Sequence, residues 1–133
     1  MDAVKYSHSK HGAMVAKWLK ARGMQMPAED LIYDTGFVIH ESAVAFLCKT
    51  NSKTAFIDQL AVRPGLLPFI KAGLIKAVIK RVEEEAKALG YSQVAAFPSV
   101  MTNLGGRLIE LGYAPHGSHQ LFSKSLSEAP CLG

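Results

Sequence analysis

With 133 residues, 49% of them hydrophobic and 20% charged, the chain has the size and make-up of one globular domain with room for a sizeable core. No apolar run approaches the roughly 20 residues that span a bilayer, and the N-terminal stretch lacks the apolar segment of a secretory signal, so a cytoplasmic protein outside the membrane is expected. A net charge of +4 suits an anionic ligand such as a nucleotide or a phosphorylated cofactor. The basic residues are mixed with acidic ones and show no zinc-finger or RNA-binding spacing, which argues against nucleic acid.

In chain order, VKYSH reads as a short first strand and residues 11–22 as a helix, with Ala13, Val15, Ala16, Trp18 and Leu19 on its apolar side and Gly23 as its stop. MQMPAEDL reads as a loop. IYDTGFVIHES and AVAFLCKT are rich in β-branched and aromatic residues and are expected to form a hairpin that turns around Glu41 and Ser42. After the KTNSK turn, TAFIDQLAV is a fourth strand, alternating Phe56, Asp58, Leu60 and Val62 against Ala55, Ile57, Gln59 and Ala61.

Residues 69–89 carry the firmest helical signal: Ile75, Val78, Ile79, Val82, Ala86 and Leu89 form one stripe, lysines and glutamates the other side, and Gly90 the stop. SQVAAFPS then reads as a strand, TNLGGRLIEL as a helix capped by Gly112, and HQLFSKSL as a last strand, with residues 127–133 a frayed tail. A hairpin-rich first half followed by β-α-β-α-β predicts one α/β (α+β) domain over residues 1–126, built on a mixed sheet flanked by helices.

The residues themselves suggest where chemistry sits. A strand, a loop holding Gly65, Pro68 and Gly73, and a helix start can cradle an anion, because the first turn of a helix has unpaired N–H groups and a partial positive charge. Lys71 adds charge there. Cys48 lies in an apolar run and reads as a small buried hydrophobe, and with Cys131 in the tail no disulfide is expected. His8, His11, His116 and His119 lack metal-ligand spacing with an acidic or Cys partner, so no metal is expected. Gly105 and Gly106 fall inside a helical pattern at a cost of about 1 kcal/mol each relative to Ala, which implies close packing on the sheet or a backbone approached by a ligand.

The order of elements, with LAVRP ending the fourth strand, EEEAKALGY ending the long helix and TNLGGRLIELGY forming the next, resembles the GNAT superfamily of acyl-CoA N-acyltransferases over nearly the whole chain. The marks are Val62 with Pro64, Ala86 with Gly90, and Asn103 with Gly112 and Tyr113. The resemblance implies a central mixed, mostly antiparallel sheet whose fourth and fifth strands splay apart near Leu60 to Val62 and Val94 to Phe97, leaving a cofactor cleft. It implies acetyl-CoA as co-substrate, with Leu60, Ala61 and Val62 beside the pantetheine arm, Lys71, Ala72, Gly73 and Leu74 at the pyrophosphate, and Asn103 also at the cofactor. Of the family's pyrophosphate motif only Gly73 is matched, because Ile70 stands at the basic or amide position and Ile75 at the second small one.

In that family an amine attacks the thioester directly, backbone N–H groups at a bulge in the fourth strand steady the oxyanion, and a Tyr often protonates the leaving thiolate. Here Leu108 stands at the Tyr position, while Tyr113 and Tyr91 read as packing aromatics. Candidate bases are Asp58 in the fourth strand and His40 or Glu41 at a strand end. Two functions follow from the resemblance: an N-acetyltransferase acting on an unidentified amine, or a catalytically degenerate scaffold similar to short phage-type GNAT-like proteins that serve assembly or host-protein interaction. A protein partner and a homodimer stay open.

Overall fold

A computed structural model of the protein describes residues 2–23, 33–96 and 108–114. Its elements are β1 (Ala3–Lys5), α1 (His8–Ala21), β2 (Thr35–Ile39), β3 (Ala43–Cys48), β4 (Thr54–Val62), α2 (Pro68–Ala88) and β5 (Gln93–Ala96). A further helical turn covers residues 108–110. The strands form a five-stranded sheet in the order β1-β2-β3-β4-β5. Neighbours from β1 to β4 are antiparallel, β2–β3 and β3–β4 through short turns and β1–β2 with α1 in the connection, whereas β5 runs parallel to β4 by way of the α2 crossover.

The central strands are covered on both faces, which explains why AVAFLC is a continuous apolar run. On one face, Phe37, Ile39, Ala43, Ala45, Leu47, Ala55, Ile57 and Val62 pack against Leu74, Ile75, Val78, Ile79, Val82 and Ala86 of α2. On the other, Val38, Val44, Phe46 and Ala61 pack against Val15, Trp18 and Leu19 of α1. Gly36 lies opposite Phe46 across the β2–β3 ladder. A Cβ at Gly36 would fall 2.6 Å from the Phe46 ring, so that position admits no side chain without displacing the ring.

Most element positions match the sequence reading, and the differences have local causes. α1 starts earlier than residue 11, at His8, where the Ser7 N–H donates to His11 Nδ1 at 2.9 Å and satisfies one donor of the helix entrance. The β2–β3 turn is centred on His40 and Glu41, both at φ 49, rather than on Glu41 and Ser42, and is closed by Ser42 N–H donating to the Ile39 carbonyl at 2.9 Å. Three residues, His40 to Ser42, separate the paired Ile39 and Ala43, and left-handed residues in so tight a turn match the twist of the flanking strands.

Helix ends use glycine in the left-handed conformation, as at Gly23 after α1, where φ is 72. Gly90 has φ 94, Tyr91 N–H donates to the Ala86 carbonyl and Gly90 N–H to that of Lys87. Gly112 has φ 93, and Tyr113 and Gly112 repeat the pattern onto Leu108 and Ile109. These are Schellman closures, which satisfy carbonyls left over at a helix end.

The strict alternation expected along β4 fails at its centre. Phe46 pairs with Asp58 and Val44 with Ala61, so Gln59 and Leu60 together face Ala45, and Gln59 takes φ 53. This bulge inserts one extra residue and shifts the side-chain phase. Ile57 and Val62 therefore both face α2, while Ala61 turns to α1. The last described β4–β5 pair is Ile57 with Ala96, and the expected splay beyond it reaches Phe97, outside the described residues. Asn103, Gly105, Gly106, the strand expected over 119–126 and the 127–133 tail also lie outside them. Among the described residues, no helix is long and apolar enough to cross a membrane.

Candidate functional site

The bulge places Asp58 and Gln59 just beyond the last described β4–β5 pair. Asp58 shares the α1 face with its cross-strand partner Phe46 and is exposed. Its carboxylate is fixed from two sides: Gln59 N–H donates to Oδ1 at 2.8 Å, and the Tyr33 hydroxyl donates to Oδ2 at 2.7 Å. The first contact closes the left-handed residue of the bulge on its neighbour's side chain. The second raises the Tyr33 pKa well above that of an ordinary phenol, through the hydrogen bond to Asp58 first, then burial, with Cys48 adding to it. Tyr33 therefore stays a donor throughout the physiological range.

The other two candidate bases lie elsewhere. His40 and Glu41 are exposed in the β2–β3 turn, whose neighbour on β4 is the strand's far end: Ala43 pairs with Val62, and Arg63 N–H donates to the Ser42 carbonyl at 2.7 Å. From Asp58 to Val62 the strand advances roughly 13 Å, so the three candidates do not converge on one point.

Of the residues expected beside the pantetheine arm, Val62 and Ala61 are buried on opposite faces and Leu60 is half-buried against the α2 side. The helix start agrees with the sequence reading to one residue. α2 begins at Pro68, with Leu67 as its N-cap and Lys71 N–H already bonded to the Leu67 carbonyl at 2.9 Å. The amides of Ala72, Gly73 and Leu74 thus lie within the helical ladder, and the N–H groups without an intrahelical partner are those of Leu67, Phe69 and Ile70. With the helix starting at Pro68, which lacks an N–H, Gly73 lies a turn inside it.

The side chains around those amides are apolar: Leu67, Phe69 and Ile70 are all exposed, Phe69 to 74%. Arg63 is exposed on the same β4–α2 connection and Lys71 is half-buried on the first turn. Ala72 and Gly73, with Ile75 and Lys76, form one wall of a groove of about 180 Å³ whose other wall is Glu110 and Leu111.

Leu108, at the position of the family's acid, is 5% exposed and belongs to the α2-side core. Tyr113 packs on that core and donates its hydroxyl to Glu83 Oε2 at 2.6 Å. Tyr91 donates to the Thr50 carbonyl at 2.7 Å and accepts from Thr50 N–H at 2.9 Å, tying the β3–β4 turn to the end of α2. Sequence reasoning singled out Asp58 but not Tyr33, and the resemblance implied a bulge in the fourth strand without placing it at Gln59. The signal available was the adjacent pair Asp58-Gln59, two polar residues interrupting an apolar alternation.

A five-strand, mostly antiparallel open sheet with helices on both faces is the GNAT fold, and the chain has it. An acetyltransferase from Trypanosoma brucei superposes with a TM-score of 0.65 at 17% identity, covering 92% of this chain and 99% of that one. A ribosomal-protein-alanine N-acetyltransferase from Brucella melitensis gives 0.66 at 15% identity, over 94% and 100%. An aminoglycoside N-acetyltransferase in complex with CoA gives 0.59 at 16% identity, over 95% and 100%. No protein-family model and no curated protein matches the sequence.

Proposed function

We propose that the protein is an acyl-CoA-dependent N-acetyltransferase, moving an acetyl group from acetyl-CoA to an amine in the cytoplasm. The observation that carries this reading is the β4 bulge at Gln59, which sits just past the Ile57–Ala96 pair. A bulge takes backbone groups out of the regular ladder, which suits the amides of an extended pantetheine arm. The chain's donors fit the rest of the cofactor: N–H groups at Leu67, Phe69 and Ile70 sit at the positive end of α2, with Arg63 and Lys71 close in sequence. Leu60, Ala61 and Val62 keep their role beside the arm. Ala72 and Gly73 serve through the groove they line rather than through their amides. Leu74 and Asn103 remain assigned to the cofactor on the resemblance alone.

In this reading the acceptor ammonium gives up one proton by way of the exposed Asp58 carboxylate, and the neutral amine attacks the thioester carbonyl carbon. A C–N bond forms and the C–S bond breaks. The second nitrogen proton passes through solvent to the departing sulfur, since Leu108 has no proton to give. A thiolate is a weak enough base to leave without a dedicated acid, so the Leu at this position slows the reaction without forbidding it.

The second reading, a scaffold without catalysis acting in assembly or host-protein interaction, draws on the burial of Leu108 and the exposure of Leu67 and Phe69. One experiment separates the two. Acetyl-CoA at a hundredfold excess over Kd stabilises the native state by about 2.7 kcal/mol, so the melting curve shifts upward, and amines release free thiol from it in the presence of the enzyme. A melting curve unmoved by millimolar acetyl-CoA leaves the scaffold reading in its place.

A further inference from the structure

Tyr33, ahead of β2, and Asp58 of β4 are 25 residues apart in sequence, yet the phenol donates to Asp58 Oδ2 at 2.7 Å while Gln59 N–H holds Oδ1 at 2.8 Å. An exposed carboxylate normally samples several rotamers; this one is held by a donor on each oxygen. A carboxylate has about four lone-pair positions, so two remain for a ligand, and these accept hydrogen bonds only. Tyr33 is itself anchored, because its ring packs against the α1-side core formed by Val15, Trp18 and Phe46. Asp34, next to Tyr33 in the chain, pairs with Lys49 at 3.4 Å.

We propose that Tyr33 is a positioning residue for acetyl transfer: it fixes Asp58 beside the β4 bulge so that the free lone pairs of the carboxylate select a protonated primary amine as acceptor. This rests on the acetyltransferase reading and adds to it the acceptor's charge class. An alkylammonium group brings the positive charge and N–H donors that such a site accepts, and a cation is the ligand that a fixed, acceptor-only carboxylate favours.

The test uses the full chain, acetyl-CoA and 1,5-diaminopentane as the amine probe. In Tyr33→Phe the KM for the diamine rises about tenfold, the scale of a lost hydrogen bond to a charged group, while the KM for acetyl-CoA stays within about twofold. Asp58→Asn gives a larger rise in the diamine KM and also lowers kcat, because the same carboxylate takes the ammonium proton. A purely structural role would move both KM values or neither. Phenolate absorbance supplies a second readout: the difference between wild type and Tyr33→Phe isolates Tyr33, and Asp58→Asn brings its titration down toward that of an ordinary phenol.

An unchanged diamine KM in Tyr33→Phe, or a Tyr33 titration indifferent to Asp58→Asn, overturns the inference. So does wild-type protein that acetylates uncharged aromatic amines but not the diamine, an outcome that leaves the acetyltransferase reading standing. Absence of transfer to every amine, with acetyl-CoA failing to raise the melting temperature, overturns the acetyltransferase reading and the inference with it.

Discussion

The Tyr113 hydroxyl donates to Glu83 Oε2 at 2.6 Å, tying the end of the chain's last described segment to the middle of α2. Burial first, and Glu83 second, raise the Tyr113 pKa well above the phenol range. A group whose pKa is higher in the folded than in the unfolded state stabilises the fold below the unfolded value, here about 10, and that stabilisation is lost as pH rises toward the folded value. Stability in urea is therefore expected to be level from pH 7 to 9 and to fall above about pH 10. Tyr113→Phe flattens that fall and lowers stability at neutral pH by about 1 kcal/mol. Urea titrations of both proteins across this range check it.

Gly36→Ala forces a methyl group to 2.6 Å from the Phe46 ring. Overpacking of this kind costs about 1–3 kcal/mol. Because the clash has one partner, Gly36→Ala combined with Phe46→Leu is expected to lose less than the sum of the single changes, and a double-mutant cycle by chemical denaturation measures the difference.

Leu108→Tyr restores the residue that the family resemblance implies, but Leu108 is 5% exposed among core side chains. The larger ring and its hydroxyl are expected to destabilise the protein by about 1–3 kcal/mol and not to accelerate thiol release from acetyl-CoA. A melting temperature unchanged together with a faster release would show that the position opens onto the cleft.

Gln59→Val puts a β-branched residue at φ 53 in the bulge. Left-handed backbone is most costly for such side chains, at about 1–2 kcal/mol. The bulge keeps its extra residue but its backbone shifts next to Asp58, so transfer activity is expected to fall along with a stability loss of about that size, which parallel melting and thiol-release assays read out.

Much of this architecture was legible without coordinates because it is written in local patterns. The bounds of β4 were read directly from TAFIDQLAV, the buried stripe of α2 from its three- and four-residue spacing apart from Leu89, which caps the helix and is 49% exposed, and the closures at Gly90-Tyr91 and Gly112-Tyr113 from their glycines. Each of these depends on residues within about two helical turns or one strand, where periodicity and backbone preference act alone. Tertiary structure decided the rest. Gln59 has no intrinsic leaning to the left-handed region, nor does Glu41, and both adopt it because strands paired on either side of them require a bulge and a tight turn. The partner of Asp58 is a tyrosine that no spacing rule links to it, brought within 2.7 Å only when the packing of Tyr33 on the α1-side core sets where its hydroxyl lies. Residue type and local order determined which segments became strand and helix; the pairing of distant segments determined where the polar groups among them meet, since that depends on register and packing, which no short window of sequence contains.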